Sequence, residues 1–74
     1  MPDVEIQKKF GKRLRYLRRS RDISQEQLAE SIGRSVGFIS LLERGESAPS
    51  LETIVRLAEA LGVEVGELFR FDGK

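Results

Sequence analysis

Neither cysteine nor histidine occurs in this 74-residue chain. Without thiols it can have neither a disulfide framework nor a cysteine-based zinc site. Without imidazole it lacks the commonest metal ligand and the commonest general base. Glu26, Glu30 and Glu43 supply carboxylates, but no nucleophile–base pair can use histidine. No glycine-rich phosphate loop appears either, since Gly62 to Gly66 reads as a helix stop and the start of another turn. We therefore expect no enzyme activity, no cofactor and no metal. Long apolar runs are missing too. No stretch approaches the ~20 apolar residues of a membrane span, and no signal-peptide core follows Met1. The expectation is a soluble cytoplasmic protein without a membrane partner or a small-molecule ligand. A domain this small hides only about 60% of its unfolded surface. With no staple available, a compact helical core completed by dimerisation is the natural solution.

The formal charge of +1 predicts no particular partner, but its distribution does. Residues 1–44 carry ten Lys/Arg against six Asp/Glu, and residues 45–74 carry three against six, so +4 and −3 combine to the +1. From Lys8 to Arg21 there are eight basic residues and no acid. Such a run is either a solvated helix face or a phosphate-facing surface.

Apolar residues recur at helical spacing, punctuated by two prolines and seven glycines. The first predicted helix runs from about Glu5 to Arg19, with Ile6, Phe10, Leu14 and Leu17 as its stripe. Glu5 near its start and Arg18 and Arg19 near its end suit the helix dipole. Ser24 and Gln27 form a Ser-x-x-Gln capping box that opens a helix from Gln25 to Ile32, with Leu28, Ala29 and Ile32 inward. Gly33 stops it, Ser35 caps a third helix from Val36 to Arg44, and Gly45 ends that one. Pro49 and Ser50 precede a fourth helix, Leu51–Leu61. Its predicted stripe is Leu51, Ile54, Val55, Ala58 and Leu61, with Leu57 slightly off it, and Gly62 follows. A fifth short helix spans about Val65–Phe69. No segment alternates with period two for long enough to be a strand.

Two short helices joined by Gly33, Arg34 and Ser35, with small Ala29 inward and Gly33 four positions later, form the helix-turn-helix pattern. From about Phe10 to Phe69 the chain resembles the lambda-repressor-like (Cro/CI-type, XRE) family. The resemblance rests on Leu17-Arg18, Ser24-Gln25-Glu26-Gln27-Leu28-Ala29-Glu30, Ile39-Ser40, Glu43-Arg44-Gly45, Pro49-Ser50-Leu51-Glu52-Thr53 and Ala60-Leu61-Gly62-Val63. The small size and the start Glu5-Ile6-Gln7-Lys8-Lys9-Phe10-Gly11 resemble restriction-modification controller proteins. Ser35-Val36-Gly37-Phe38-Ile39-Ser40 resembles regulators that carry a cupin domain, but with no cupin in these residues the expectation is a free-standing regulator. The resemblance implies an all-α, five-helix domain covering residues 1–74. It also implies transcriptional regulation through double-stranded DNA, bound by a homodimer on a palindromic operator.

At 100° per residue, Ile39, Leu42 and Ser35 point to one side of the third helix, with Glu43 near its edge. Gly37, Ser40, Leu41 and Arg44 point to the other, and Val36 lies at the boundary. This outward set is expected to meet base edges in the major groove. Arg44 is its one bidentate reader of guanine. Val36 and Leu41 fit thymine methyls, Ser40 gives an adaptable hydrogen bond, and Gly37 permits close approach. Leu41 packing on a protein partner is the competing reading. Phosphate contacts are expected from Ser24, Gln25 and Ser35 at helix N-termini, and from Arg34, Arg13 and Ser47. Phe38 either packs beside the sugar-phosphate backbone or is a partly buried core aromatic. The resemblance pairs Arg18 with Glu43 in an internal salt bridge that orients the recognition helix.

The acidic end carries more apolar residues than one small core obviously needs. Val65, Leu68, Phe69 and Phe71 are expected to build a two-fold interface. In the competing reading, all but Phe71 close the monomer core. The alternative to DNA binding is a protein-interaction module, or an antitoxin whose main partner is another protein.

Overall fold

The computed structural model describes residues 3–72, with side chains from Glu5 onward. Four α-helices, α1 (Asp3–Ser20), α2 (Gln25–Ile32), α3 (Val36–Glu43) and α4 (Leu51–Leu61), are followed by a closing 3-10 helix, Val65–Phe69. No strand occurs among the described residues. None of the helices is long and apolar enough to cross a membrane.

The helix starts follow the local chemistry of the sequence. Ser24 Oγ accepts from the Gln27 amide at 3.0 Å, and Gln27 Oε1 accepts from the Ser24 amide at 2.8 Å. This reciprocal box satisfies two donors at the start of α2. Ser35 and Ser50 cap α3 and α4 by accepting from the Phe38 and Thr53 amides. Gly33 and Gly62 end α2 and α4 in the left-handed region, at φ 73° and 72°, where a side chain would be strained. The closing helix is 3-10 rather than α. It has five residues, no side-chain cap at Glu64, and Gly66 as its second residue, too little to sustain an α-helical nucleus.

The core unites Phe10, Leu14 and Leu17 of α1 with Leu28, Ala29 and Ile32 of α2, and with Ile39 and Leu42 of α3. Ile54, Leu57, Ala58 and Leu61 of α4 complete it together with Leu68. Three residues expected inside lie outside. Ile6, Leu51 and Val55 are exposed, Leu51 at 82%. Conversely, Leu57 is fully buried. The inward arc of α4 is rotated by about 60° from the one its apolar residues alone define. The reason is that α4 packs against both α2 and the closing helix, so its buried arc takes in Thr53 and Leu57 as well as Ile54, Ala58 and Leu61. Leu68 is fully buried as well. It closes the monomer core, and the reading that placed it in a two-fold interface is corrected. Ile6, one turn ahead of Phe10, lines a shallow apolar groove with Phe10, Ala48, Pro49, Ile54 and Phe69.

Candidate nucleic-acid interface

A buried carboxylate fixes the helix-turn-helix to the rest of the molecule. Glu43, at the last position of α3, has no exposed side-chain surface. Arg18 of α1 donates through Nε to Glu43 Oε2 at 2.6 Å and through Nη2 to Oε1 at 3.1 Å. A third guanidinium nitrogen, Nη1, donates to the Ile23 carbonyl at 2.8 Å. Gln25, the first residue of α2, donates Nε2 to the same Oε1 at 3.0 Å, and Arg15 reaches it at 3.4 Å. One carboxylate thus ties together α1, the turn before α2, α2 and α3. Burial alone would raise the Glu43 pKa. The hydrogen bonds from Arg18 and Gln25, the Arg18 charge and the Arg15 contact outweigh it and hold the pKa below its ordinary value. The carboxylate is therefore ionised and fully engaged, a rigid support for the face that α3 turns outward.

On that outward face Val36, Gly37 and Leu41 are exposed, and Ser40 is half-buried. Ile39, Leu42 and Glu43 are buried behind them. Arg44 is exposed, but it is the C-cap rather than the last helical residue. Its Nε leans on the Ser40 carbonyl at 3.4 Å and its Nη1 lies 3.7 Å from Glu46. Gly45 follows at φ 76°. A Cβ at Gly37 would meet only Ser35 Oγ, at 3.9 Å. Nothing among the described residues requires glycine there, although glycine in a helix costs about 1 kcal/mol relative to alanine.

The residues expected at phosphates divide. Ser24 and Ser35 are exposed caps at the starts of α2 and α3. Arg34 is exposed and stacks its guanidinium over the Phe38 ring, 3.7 Å from the centroid. Phe38 is half-buried against the core. Ser47 is half-buried in the loop after α3. Gln25 turns its amide nitrogen inward to Glu43, so its outward offer is its backbone at the helix N-terminus. Arg13 does not fit a phosphate role. It is only 6% exposed, donates Nε to the Glu67 carbonyl at 2.8 Å, and pairs with the Glu67 carboxylate at 2.9 Å. Arg13 fastens the closing helix to α1, which corrects its placement at the flank of DNA.

Two contributors escaped the sequence reading. Gly11 lies where a Cβ would overlap the carbonyl oxygens of Leu42 and Glu43, so its missing side chain lets α1 touch the end of α3. A glycine inside an otherwise strong helix signals such an approach, because it is costly elsewhere. Arg15 joins the Glu43 cluster without any motif to announce it.

The helix-turn-helix family model HTH_3 matches residues 14–68. The chain belongs to this helix-turn-helix family. The CTXphi repressor RstR of a cryptic phage in Vibrio cholerae is 39% identical over 59 residues, which cover 80% of this chain and 53% of that protein. This chain thus spans about half the length of RstR. Control protein C.MunI of Mycoplasma sp is 34% identical over 70 residues, covering 93% of this chain and 92% of its own. The crystal structure of the restriction-modification controller protein C.AhdI from Aeromonas hydrophila superimposes with a TM-score of 0.89 at 40% identity. That match covers 93% of this chain and the whole of the other. Within this HTH_3 fold, Gly11, Arg15, Arg18 and Gln25 meet at the end of α3 around Glu43, whereas Arg13 lies at the closing helix.

Proposed function

We propose that this HTH_3 chain is a sequence-specific regulator of transcription that binds double-stranded DNA as a homodimer, with α3 in the major groove. The observation that carries this reading is the mounting of α3. Its inward side is locked by Arg18 and Gln25 on Glu43, while Val36, Gly37, Ser40, Leu41 and Arg44 are presented outward. The capped N-termini of α2 and α3 offer amides and positive dipole ends to phosphates on either side. The repressor, control protein and controller protein among its relatives support the same role.

The second copy is assigned to the acidic end. Val65, Phe69 and Phe71 are exposed there, as are Leu51 and Val55 on α4. A two-fold arrangement through this surface places two α3 helices about 34 Å apart, one per half of a palindrome. The role follows from binding and not from chemistry, so no cofactor, metal or small molecule enters it.

Selection of bound fragments from random-sequence duplex DNA tests the proposal. A recovered palindrome whose binding weakens steeply with salt is the expected result, because neutralised phosphates release counterions. Failure to bind any duplex at low salt would overturn it and leave the exposed Val36 and Leu41 as a protein-docking face.

A further inference from the structure

We infer that the exposed face of α1 is a second DNA-backbone track. It grips the duplex beyond the bases read by α3, and its cations are Lys8, Lys12, Arg15 and Arg19. The inference rests on the DNA-binding reading and adds a surface to it.

These four residues are spaced i, i+4, i+7 and i+11, which at 100° per residue confines them to an arc of about 60°. Lys8, Lys12 and Arg19 are exposed and Arg15 is half-buried. At 1.5 Å per residue the track is about 16 Å long, comparable to five steps of duplex at about 3.4 Å each. Arg13, Arg18, Arg44, Arg56 and Arg70 all have carboxylate partners. Among the described residues, Lys8, Lys12 and Arg19 have none, as have Lys9, Arg21 and Arg34 off this arc. No acid lies on α1 from Ile6 to Ser20 to neutralise them. Three uncompensated cations in one line are complementary to a regular line of phosphates.

The track is continuous with the proposed interface at both ends of α3's support. The Lys8 backbone packs against Gly45, just past the end of α3, where a Cβ would come within 2.8 Å of Lys8 Cα. Arg15 converges on Glu43 Oε1 together with Gln25, the first residue of α2. The strip therefore begins beside the recognition helix and passes the phosphate-facing start of α2. Beyond it, Lys12, Arg15, Tyr16, Arg19 and Ser20 line an open hollow, and the Tyr16 ring is exposed there. A duplex seated on α3 and carried past α2 meets this strip next.

The test uses the full chain and the duplex recovered by selection, in two lengths: trimmed to the recognised bases, or extended by ten base pairs on each side. The variant combines Lys8→Gln, Lys12→Gln and Arg19→Gln, and leaves Arg15 in place because it touches Glu43. All three sites are exposed, so the thermal midpoint should stay unchanged. On the extended duplex, the slope of log affinity against log salt should fall by about 2 to 3, at about 0.9 per lost phosphate contact. On the trimmed duplex it should fall by less than about 1. An unchanged slope on the extended duplex would overturn the track, as would an equal loss on both lengths. A changed sedimentation of the DNA-free variant would overturn it in favour of a protein contact. Recovery of no duplex at all by the wild-type chain would overturn the DNA-binding reading and the track with it.

Discussion

Arg18 and Glu43 lie 25 positions apart and meet in a two-pronged, buried ion pair, 2.6 Å at its shorter arm. Arg18 is 7% exposed and Glu43 3% exposed, so neither charge can turn to water if the other is removed. Deleting one partner of such a pair typically costs about 3–5 kcal/mol. That is a large share of the roughly 5–15 kcal/mol that holds a small domain together. Glu43→Gln keeps the shape and strands the Arg18 charge. It should lower the urea midpoint at pH 7 by an amount corresponding to about 3 kcal/mol or more. A midpoint unchanged from the wild type would show that the pair contributes little.

The same carboxylate sets an acid limit. Its folded pKa is held below the ordinary value of 4.5. The unfolded chain therefore binds a proton more readily than the folded one. The stabilisation is fully present above the ordinary carboxylate range and is lost as pH falls through the depressed folded value. Denaturation followed from pH 6 downward should show the wild type losing stability below about pH 4.5. Glu43→Gln should show a shallower decline over the same interval, and parallel curves would mean that other carboxylates govern acid unfolding.

Much of this was legible in the sequence, and what was not has a physical cause. The caps Ser24, Ser35 and Ser50 and the stops Gly33 and Gly62 are local chemistry, so reading them needed only neighbours in the chain. The rotation of α4 depends on two packing partners at once, and a helical wheel holds no such information. Leu51, Val55 and Leu57 were misplaced for that reason. Arg13 is different. It lies three residues after Phe10 and four before Leu17, on the buried arc of α1, so its inward direction was readable. Counting it with the basic run around it hid that signal. The convergence of Arg15 and Gln25 on Glu43 depends on how three helices meet, which spacing within each helix does not encode.

Gly11 and Gly37 predict opposite outcomes for one substitution. Gly11→Ala places a methyl group onto the carbonyl oxygens of Leu42 and Glu43, and backbone cannot step aside as a flexible side chain can. Overpacking of this kind costs about 1–3 kcal/mol, which exceeds alanine's helix advantage of about 1 kcal/mol. Gly37→Ala adds a methyl group whose one neighbour is Ser35 Oγ, at an unstrained 3.9 Å, and should stabilise the fold by up to about 1 kcal/mol. On the DNA-binding reading it should also weaken operator affinity, since the methyl group stands on the outward face of α3. Thermal melts and operator titrations of both variants decide the matter. A Gly37→Ala protein that is more stable and binds equally well would remove Gly37 from the interface.

Arg34 and Phe38 should act as a unit. The 3.7 Å stack holds the Arg34 guanidinium at the start of α3, and such contacts are worth about 0.5–2 kcal/mol. Arg34→Ala should reduce the salt slope of operator binding by about 0.9 if it meets one phosphate. Phe38→Leu keeps the charge and most of the apolar packing but releases the guanidinium. It should therefore weaken binding as well. The double variant should lose less than the two single losses combined. Strict additivity would mean that the stack does not position Arg34.

On the proposed two-fold arrangement, Leu68 and Phe71 separate folding from assembly at the acidic end. Leu68 is fully buried, whereas Phe71 is 36% exposed and stacks edge-on to Phe69 at 6.1 Å. Leu68→Ala removes core packing and should cost about 2–5 kcal/mol, lowering the melting temperature at every protein concentration. Phe71→Ser combined with Leu51→Glu alters exposed positions, so the monomer should stay folded. If this surface holds the second copy, the double variant should sediment as a monomer at concentrations where the wild type sediments as a dimer. It should also bind a half-site about as well as the wild type while losing its preference for the full palindrome. A double variant that still sediments as a dimer would move the two-fold contact off this face.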